Sequence, residues 1–264
     1  MLRYRFGAKV AYSAPMENKD SFGGAGKVGE SFFARPERWL VQRYVGRIPR
    51  WLETYHLTLL TIVWSVLIPL FGMLARNDIR WLWMVSVMIV MQYVTDLFDG
   101  AVGRTRNTGL VRWGFFMDHF LDYLFLCALI VAYYVVAPEG HTTWFMLLLA
   151  LTGAHMTHSF LSFAATNEFR IAFHGVGPTE MRLAFIVINA FIIMTWPRYY
   201  EYTLPALSLV VLAALVYVVW GTHRRLWEMD MTAKAAPDAL RAAEAGIAQG
   251  GTVPAASPRV IPGR

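Results

Sequence analysis

Four aspartates at two regular spacings carry the strongest chemical signal in this chain: Asp96 and Asp99, three residues apart, and Asp118 and Asp122, four apart. They are all the carboxylates between Ile79 and Pro138. Each spacing places its pair on one face of a helix, so two facing helices aim four carboxylates into one cavity. Oxygen ligands of this kind suit hard divalent cations such as Mg²⁺ or Mn²⁺. A charged side chain deep in a bilayer costs about 2.5 to 3.5 kcal/mol even on the mildest insertion scale, so the group needs partners. The nearby basic residues, Arg104, Arg106, Arg112 and His119, are too few and too loop-bound to pair all four in a dry site. That shortage favours a metal site over helix caps and surface ion pairs. The loop expected between the pairs carries Gly100, Gly103, Gly109 and Gly114, residues that let backbone approach a ligand closely. Metal-bound carboxylates, close backbone and Arg104 together are equipment for stabilising a diphosphate as its bridging bond breaks.

The elements that must hold these residues are membrane helices. Of the 264 residues 56% are hydrophobic and only 16% charged, against roughly 25% charged in a soluble domain. With a mean hydropathy of +0.41, this composition excludes a disordered chain, a disulfide scaffold and a fibrous repeat. The single cysteine, Cys127, permits neither an intrachain disulfide nor a cysteine-based metal site. Six apolar segments, near Leu57 to Ala75, Ile79 to Phe98, Phe115 to Val136, Thr142 to Ala165, Met181 to Trp196 and Thr203 to Thr222, are each about long enough to cross a bilayer. The expected fold is therefore all-α, a polytopic membrane bundle of six transmembrane helices. Residues 35–56 mix Trp39, Leu40, Val41 and Tyr44 with Arg38, Arg43, Arg47 and Arg50, as an amphipathic helix in the headgroup layer would, with Pro49 bending or breaking it. Ahead of it, residues 1–34 read as a flexible cytoplasmic arm without a signal-peptide core. The bundle occupies 57–226, and 227–264, rich in Ala, Gly and Pro, reads as a disordered tail with room for one short helix near Asp238 to Ala248. Alternate sides of the six spans receive eleven arginines against three, which places both termini, and the end that carries the aspartates, in the cytoplasm. The net charge of +6 flanks apolar runs rather than forming a nucleic-acid-like patch, so the expected partner is an anionic membrane surface and not nucleic acid.

The run Asp96, two residues, Asp99, Gly100, two residues, Gly103, Arg104, nine residues, Gly114, three residues, Asp118, three residues, Asp122 resembles the signature of the CDP-alcohol phosphotransferase family. The family's usual Ala before the Arg is Gly103 here, a small departure. The resemblance extends over roughly residues 35–223, because the family also has an interfacial helix before six transmembrane helices. It implies that Asp96, Asp99 and Asp118 hold two divalent cations, with Asp122 contributing to the site and serving as general base. Gly100, Gly103 and Arg104, with Gly114, would meet the cytidine diphosphate. Pairing as homodimers is a further expectation from the family.

The signature reads the CDP moiety and not the alcohol. Ile48 to Leu52 with His56, Leu57 and Thr58 is similar to the approach to the first helix in amino-alcohol phosphotransferases, although their Pro-Asn pair is replaced by Thr54 and Tyr55. Asn167, Glu168 and the stretch Gly177, Pro178, Thr179, Glu180 also resemble the ethanolamine and choline enzymes, which would bring Glu168 and Glu180 to a cationic or hydroxylated head group. The other reading of Glu180 is an acidic residue favoured by the helix dipole at an N-terminus. His155, His158 and Ser162 form a polar stripe suited to interhelical hydrogen bonds. The leading expectation is transfer of a phosphoalcohol from a CDP-alcohol to a lipid hydroxyl, with release of CMP, in phospholipid synthesis. An alternative within the family moves a phosphatidyl group from CDP-diacylglycerol to a small polar alcohol. Membrane prenyltransferases also pair aspartates with Mg²⁺ but have more helices and lack this spacing. A cation transporter would keep its carboxylates nearer the midplane, often on broken helices.

Overall fold

The structure is a computed structural model that describes residues 27–28, 32–167, 169–170 and 177–248, with side chains for 32–167 and 177–234. Most of the arm expected over 1–34, Glu168 and the tail from 249 lie outside the described residues. The architecture is all-helical: α1 Ala34–Tyr44, α2 Thr54–Ala75, α3 Leu82–Arg106, α4 Val111–Val136, α5 Thr142–Thr166, α6 Pro178–Thr195 and α7 Arg198–Ala248. A two-residue parallel pairing of Lys27–Val28 with Phe169–Arg170 is the strand content among the described residues. Six helices, α2 to α7, are long and apolar enough to span a membrane, which makes this an integral membrane protein.

The membrane solvent explains where the side chains go. Ile62, Val66, Val87, Val90 and Val187 are exposed on the spans, as lipid requires, while Ile68, Leu82, Val85, Ile89 and Leu129 are sealed between helices. The helices approach closely where side chains are small. A Cβ on Gly72 of α2 would lie 2.9 Å from Ala132 Cα of α4, so this crossing exists only because the residue is glycine. Deeper polar pairs also join helices, with Asn189 Nδ2 of α6 donating to Ser86 Oγ of α3 at 2.9 Å.

Three boundaries differ from the sequence expectation. The amphipathic helix anticipated over 35–56 stops at Tyr44; a 3-10 turn Val45–Arg47 follows, and the chain crosses Pro49 in non-helical backbone before α2 begins. The segment with Gly100, Gly103 and Gly114 is not a loop, because α3 runs to Arg106 and α4 starts at Val111. The turn between them is short, with Asn107 (φ 51°) and Gly109 (φ 71°) in the left-handed region that ends helices. The last helix also starts earlier, at Arg198, and its backbone stays helical to Ala248. The chain divides into two compact units, residues 1–209 and 210–264. The first contains α1 to α6 and the start of α7. The second, taken by itself, is the rest of α7, apolar at first and then polar, with an Arg224–Glu228 ion pair at 3.7 Å one turn apart.

Candidate active site

Helices α3 and α4 deliver their aspartates to one place. One carboxylate oxygen from each of Asp96, Asp118 and Asp122 lies within 4.8 Å of the other two, a grouping that could hold a metal ion. All three are half-buried, with Asp118 the most open at 36% side-chain exposure. An all-oxygen donor set at this separation suits a hard divalent cation.

Asp99 faces differently. It is buried, and each of its oxygens has a donor: Thr58 Oγ1 of α2 reaches Oδ2 at 2.7 Å, and the Gly100 N–H reaches Oδ1. Thr54 Oγ1 donates to the Asp99 carbonyl at 2.6 Å. The first turns of α2 therefore hold this aspartate by both side chain and main chain. Gly103 makes that possible, since a Cβ there would meet Thr54 Oγ1 at 3.2 Å. Glycine inside a helix costs roughly 1 kcal/mol relative to alanine, and here packing against α2 overrides the propensity. Gly100 lies beneath Arg104, whose Nη1 would be 3.2 Å from an added Cβ. Gly114, in the first turn of α4, has open space around it.

The countercharge comes from a residue that local spacing did not point to. Arg182 of α6, only 7% exposed, places Nη2 2.9 Å from Asp96 Oδ2 and 3.3 Å from Asp122 Oδ1. Its Nε donates to Gln92 Oε1 at 2.6 Å, and Gln92 Nε2 donates to Asp122 Oδ1 at 3.0 Å. The signal for both was present in the sequence: an arginine and a glutamine inside otherwise apolar runs are costly unless they face the bundle interior. Arg106, expected beside the carboxylates, is instead spent on the backbone. It donates to the carbonyls of Ile48 and Leu52 at 2.9 Å each and pairs with Glu53 at 3.4 Å, which clamps the turn leading into α2.

Glu180 stands at the start of α6, where Oε2 accepts the Gly177 N–H at 2.8 Å and Oε1 accepts the Phe33 N–H at 3.4 Å. Next to it, Thr179 Oγ1 donates to Glu37 of α1, which also accepts Tyr93 Oη of α3 at 3.2 Å. These contacts fix α1 to the helices that present Asp96 and Arg182. On another side of α4, Phe115, Phe116, His119, Phe120 and Tyr123 face Gly153, Met156, Thr157 and Phe160 of α5 across a mostly aromatic cavity of about 490 Å³. His119 connects the cavity to the carboxylates, its Nδ1 lying 3.7 Å from Asp118 Oδ2.

Comparison with known proteins adds one finding. Residues 56–220, more than half of the chain, match the family model described as CDP-alcohol phosphatidyltransferase. No curated protein and no solved structure matches the chain.

Proposed function

We propose, from the premise that this chain belongs to the CDP-alcohol phosphatidyltransferase family, that it transfers a phosphoalcohol from a CDP-alcohol to the hydroxyl of a lipid acceptor such as diacylglycerol, releasing CMP. The observation that carries this reading is the cluster of Asp96, Asp118 and Asp122 at the ends of two membrane helices, with their oxygens within 4.8 Å. Asp96, Asp99 and Asp118 would hold Mg²⁺ or Mn²⁺, as two ions. Bound there, the cations would neutralise the diphosphate and polarise the bond that breaks.

The rest of the chemistry belongs to the chain. Gly100, Gly103, Arg104 and Gly114 line the stretch of α3 and α4 where the CDP group would lie, with Arg104 supplying a guanidinium suited to phosphate oxygens. Asp122 takes the proton from the acceptor hydroxyl; the hydroxyl oxygen bonds to the phosphorus of the alcohol-side phosphate, and the bridging bond to CMP breaks. General-base assistance of this kind is typically worth 10² to 10⁴ in rate. The aromatic cavity between α4 and α5 supports a lipid acceptor, because it offers an apolar seat whose polar rim, His119, touches the carboxylate site. Both termini and the site then face the cytoplasm, where CDP-linked donors are made available.

The test is a panel crossing CDP-ethanolamine, CDP-choline and CDP-diacylglycerol with diacylglycerol and small alcohols, using purified protein and reading labelled CMP and the mass of the lipid product. CMP release only with CDP-diacylglycerol and a small alcohol would reverse the roles of donor and acceptor. Absence of CMP release from every donor would remove the transferase reading.

A further inference from the structure

Asp122 is held by two donors on the same oxygen. Gln92 Nε2 and Arg182 Nη2 both donate to Oδ1, at 3.0 and 3.3 Å, and Arg182 Nε donates to Gln92 Oε1 at 2.6 Å. The three bonds close a ring across α3, α4 and α6. A guanidinium only donates, so the amide oxygen of Gln92 must face Arg182 and its NH₂ must face Asp122. Gln92 is fully buried. An amide at that depth is costly unless both ends are satisfied, and here both ends are used.

We infer that Gln92 and Arg182 are positioning residues that make Asp122 a base with one working oxygen. Gln92 and Arg182 both donate to Oδ1, which leaves Oδ2 to take the proton of the acceptor hydroxyl. The inference rests on the proposed role of Asp122 and deepens it. Asp99 makes the contrast within this structure, with a donor on each of its two oxygens. A carboxylate pinned at one oxygen from two neighbouring helices cannot rotate freely. Proton transfer needs that fixed approach of roughly 2.6 to 3.2 Å. When Oδ2 takes the proton, the O–H bond of the acceptor breaks and the new O–P bond forms, while the electron pair of the bridging bond leaves on CMP. Throughout, the two donors on Oδ1 keep the carboxylate oriented.

The experiment uses the full chain in lipid nanodiscs and the variants Gln92→Leu, Gln92→Met, Asp122→Asn and Gln92→Leu with Asp122→Asn. Turnover and KM are measured with the CDP-alcohol that the donor panel identifies, Mn²⁺ binding by electron paramagnetic resonance, and integrity by thermal unfolding. Gln92→Leu is expected to lower kcat at least tenfold while KM for the CDP-alcohol and Mn²⁺ affinity stay within twofold. Added to Asp122→Asn, it should lower turnover less than twofold further, because a residue acting through Asp122 has nothing left to position. Should Gln92→Leu fail to fold, Gln92→Met, which keeps the length of the side chain but loses both its donor and its acceptor, carries the same expectation. Effects that multiply in the double variant, or Mn²⁺ and CDP-alcohol binding that fall as far as turnover, would reduce the ring to helix packing. Full activity in Asp122→Asn removes the base reading itself. An inactive Asp122→Asn beside a fully active Gln92→Leu removes only the positioning role.

Discussion

Replacing Thr58 with valine removes one hydroxyl from beneath Asp99 and leaves the branched shape in place. That hydroxyl donates to Asp99 Oδ2 at 2.7 Å in a buried setting. A hydrogen bond to a charged group contributes about 1.5 to 3 kcal/mol, and about 1.4 kcal/mol is tenfold in an equilibrium constant, so the upper limit of the effect is roughly 150-fold. Two contacts survive: the Gly100 N–H on Oδ1 and Thr54 Oγ1 on the Asp99 carbonyl. They keep the main chain in place, which puts the expected loss near the lower end, about ten- to thirtyfold in binding of Mn²⁺ together with the CDP-alcohol. Isothermal titration of the purified protein reads this directly, and Thr58→Ser, which restores the donor, should return binding to within threefold of the parent. A folded Thr58→Val variant that binds Mn²⁺ and donor like the parent would show that Asp99 does not depend on α2, and the construction of this half of the site would be wrong.

Other expectations follow from packing, metal and topology. Gly72→Ala forces a methyl to 2.9 Å from Ala132 Cα and Cβ alike, so it should cost about 1 to 3 kcal/mol and lower the thermal midpoint, and Ala132→Gly in the same chain, which removes the Cβ but leaves the backbone contact, should restore only part of the loss. Excess chelator should abolish CMP release and added Mg²⁺ or Mn²⁺ restore it; undiminished turnover in chelator would exclude a metal role for the aspartates. In a Cys127→Ser background, cysteines placed at Arg38 and Arg225 should react with membrane-impermeant reagents only after the cells are opened, and labelling of intact cells would invert the topology.

The spans were legible because apolar length is a property of sequence alone, and α5 in particular begins where the sequence places it, at Thr142. The ends were less legible for reasons that lie in tertiary contacts. Gly100 and Gly103 look like loop residues by propensity, yet α3 carries them as helix because a bare backbone is what lets Thr54 approach. The stop signal is four residues further on, in the left-handed Asn107. Residues 35–56 satisfied an amphipathic pattern throughout, and the pattern could not show that Arg106, more than fifty residues away, would bind the carbonyls of Ile48 and Leu52 and hold the turn open.

The site shows the same division between local and distant information. The aspartate spacing is local, and it identified the helices that converge. The countercharge is distant: Arg182 reaches Asp122 from sixty positions along the chain, and a count of basic residues near the aspartates could not include it. Its arrival changes the argument for a cation but does not remove it. Arg182 is committed to two of the three carboxylates, Asp96 and Asp122. Asp118, the most exposed of the three, has His119 at 3.7 Å, a group that carries charge only when protonated. Several like charges within 5 Å of one another repel strongly at the effective dielectric of a protein interior. A divalent cation is a partner that would relieve this, and the charge geometry of these residues supports one independently of any resemblance.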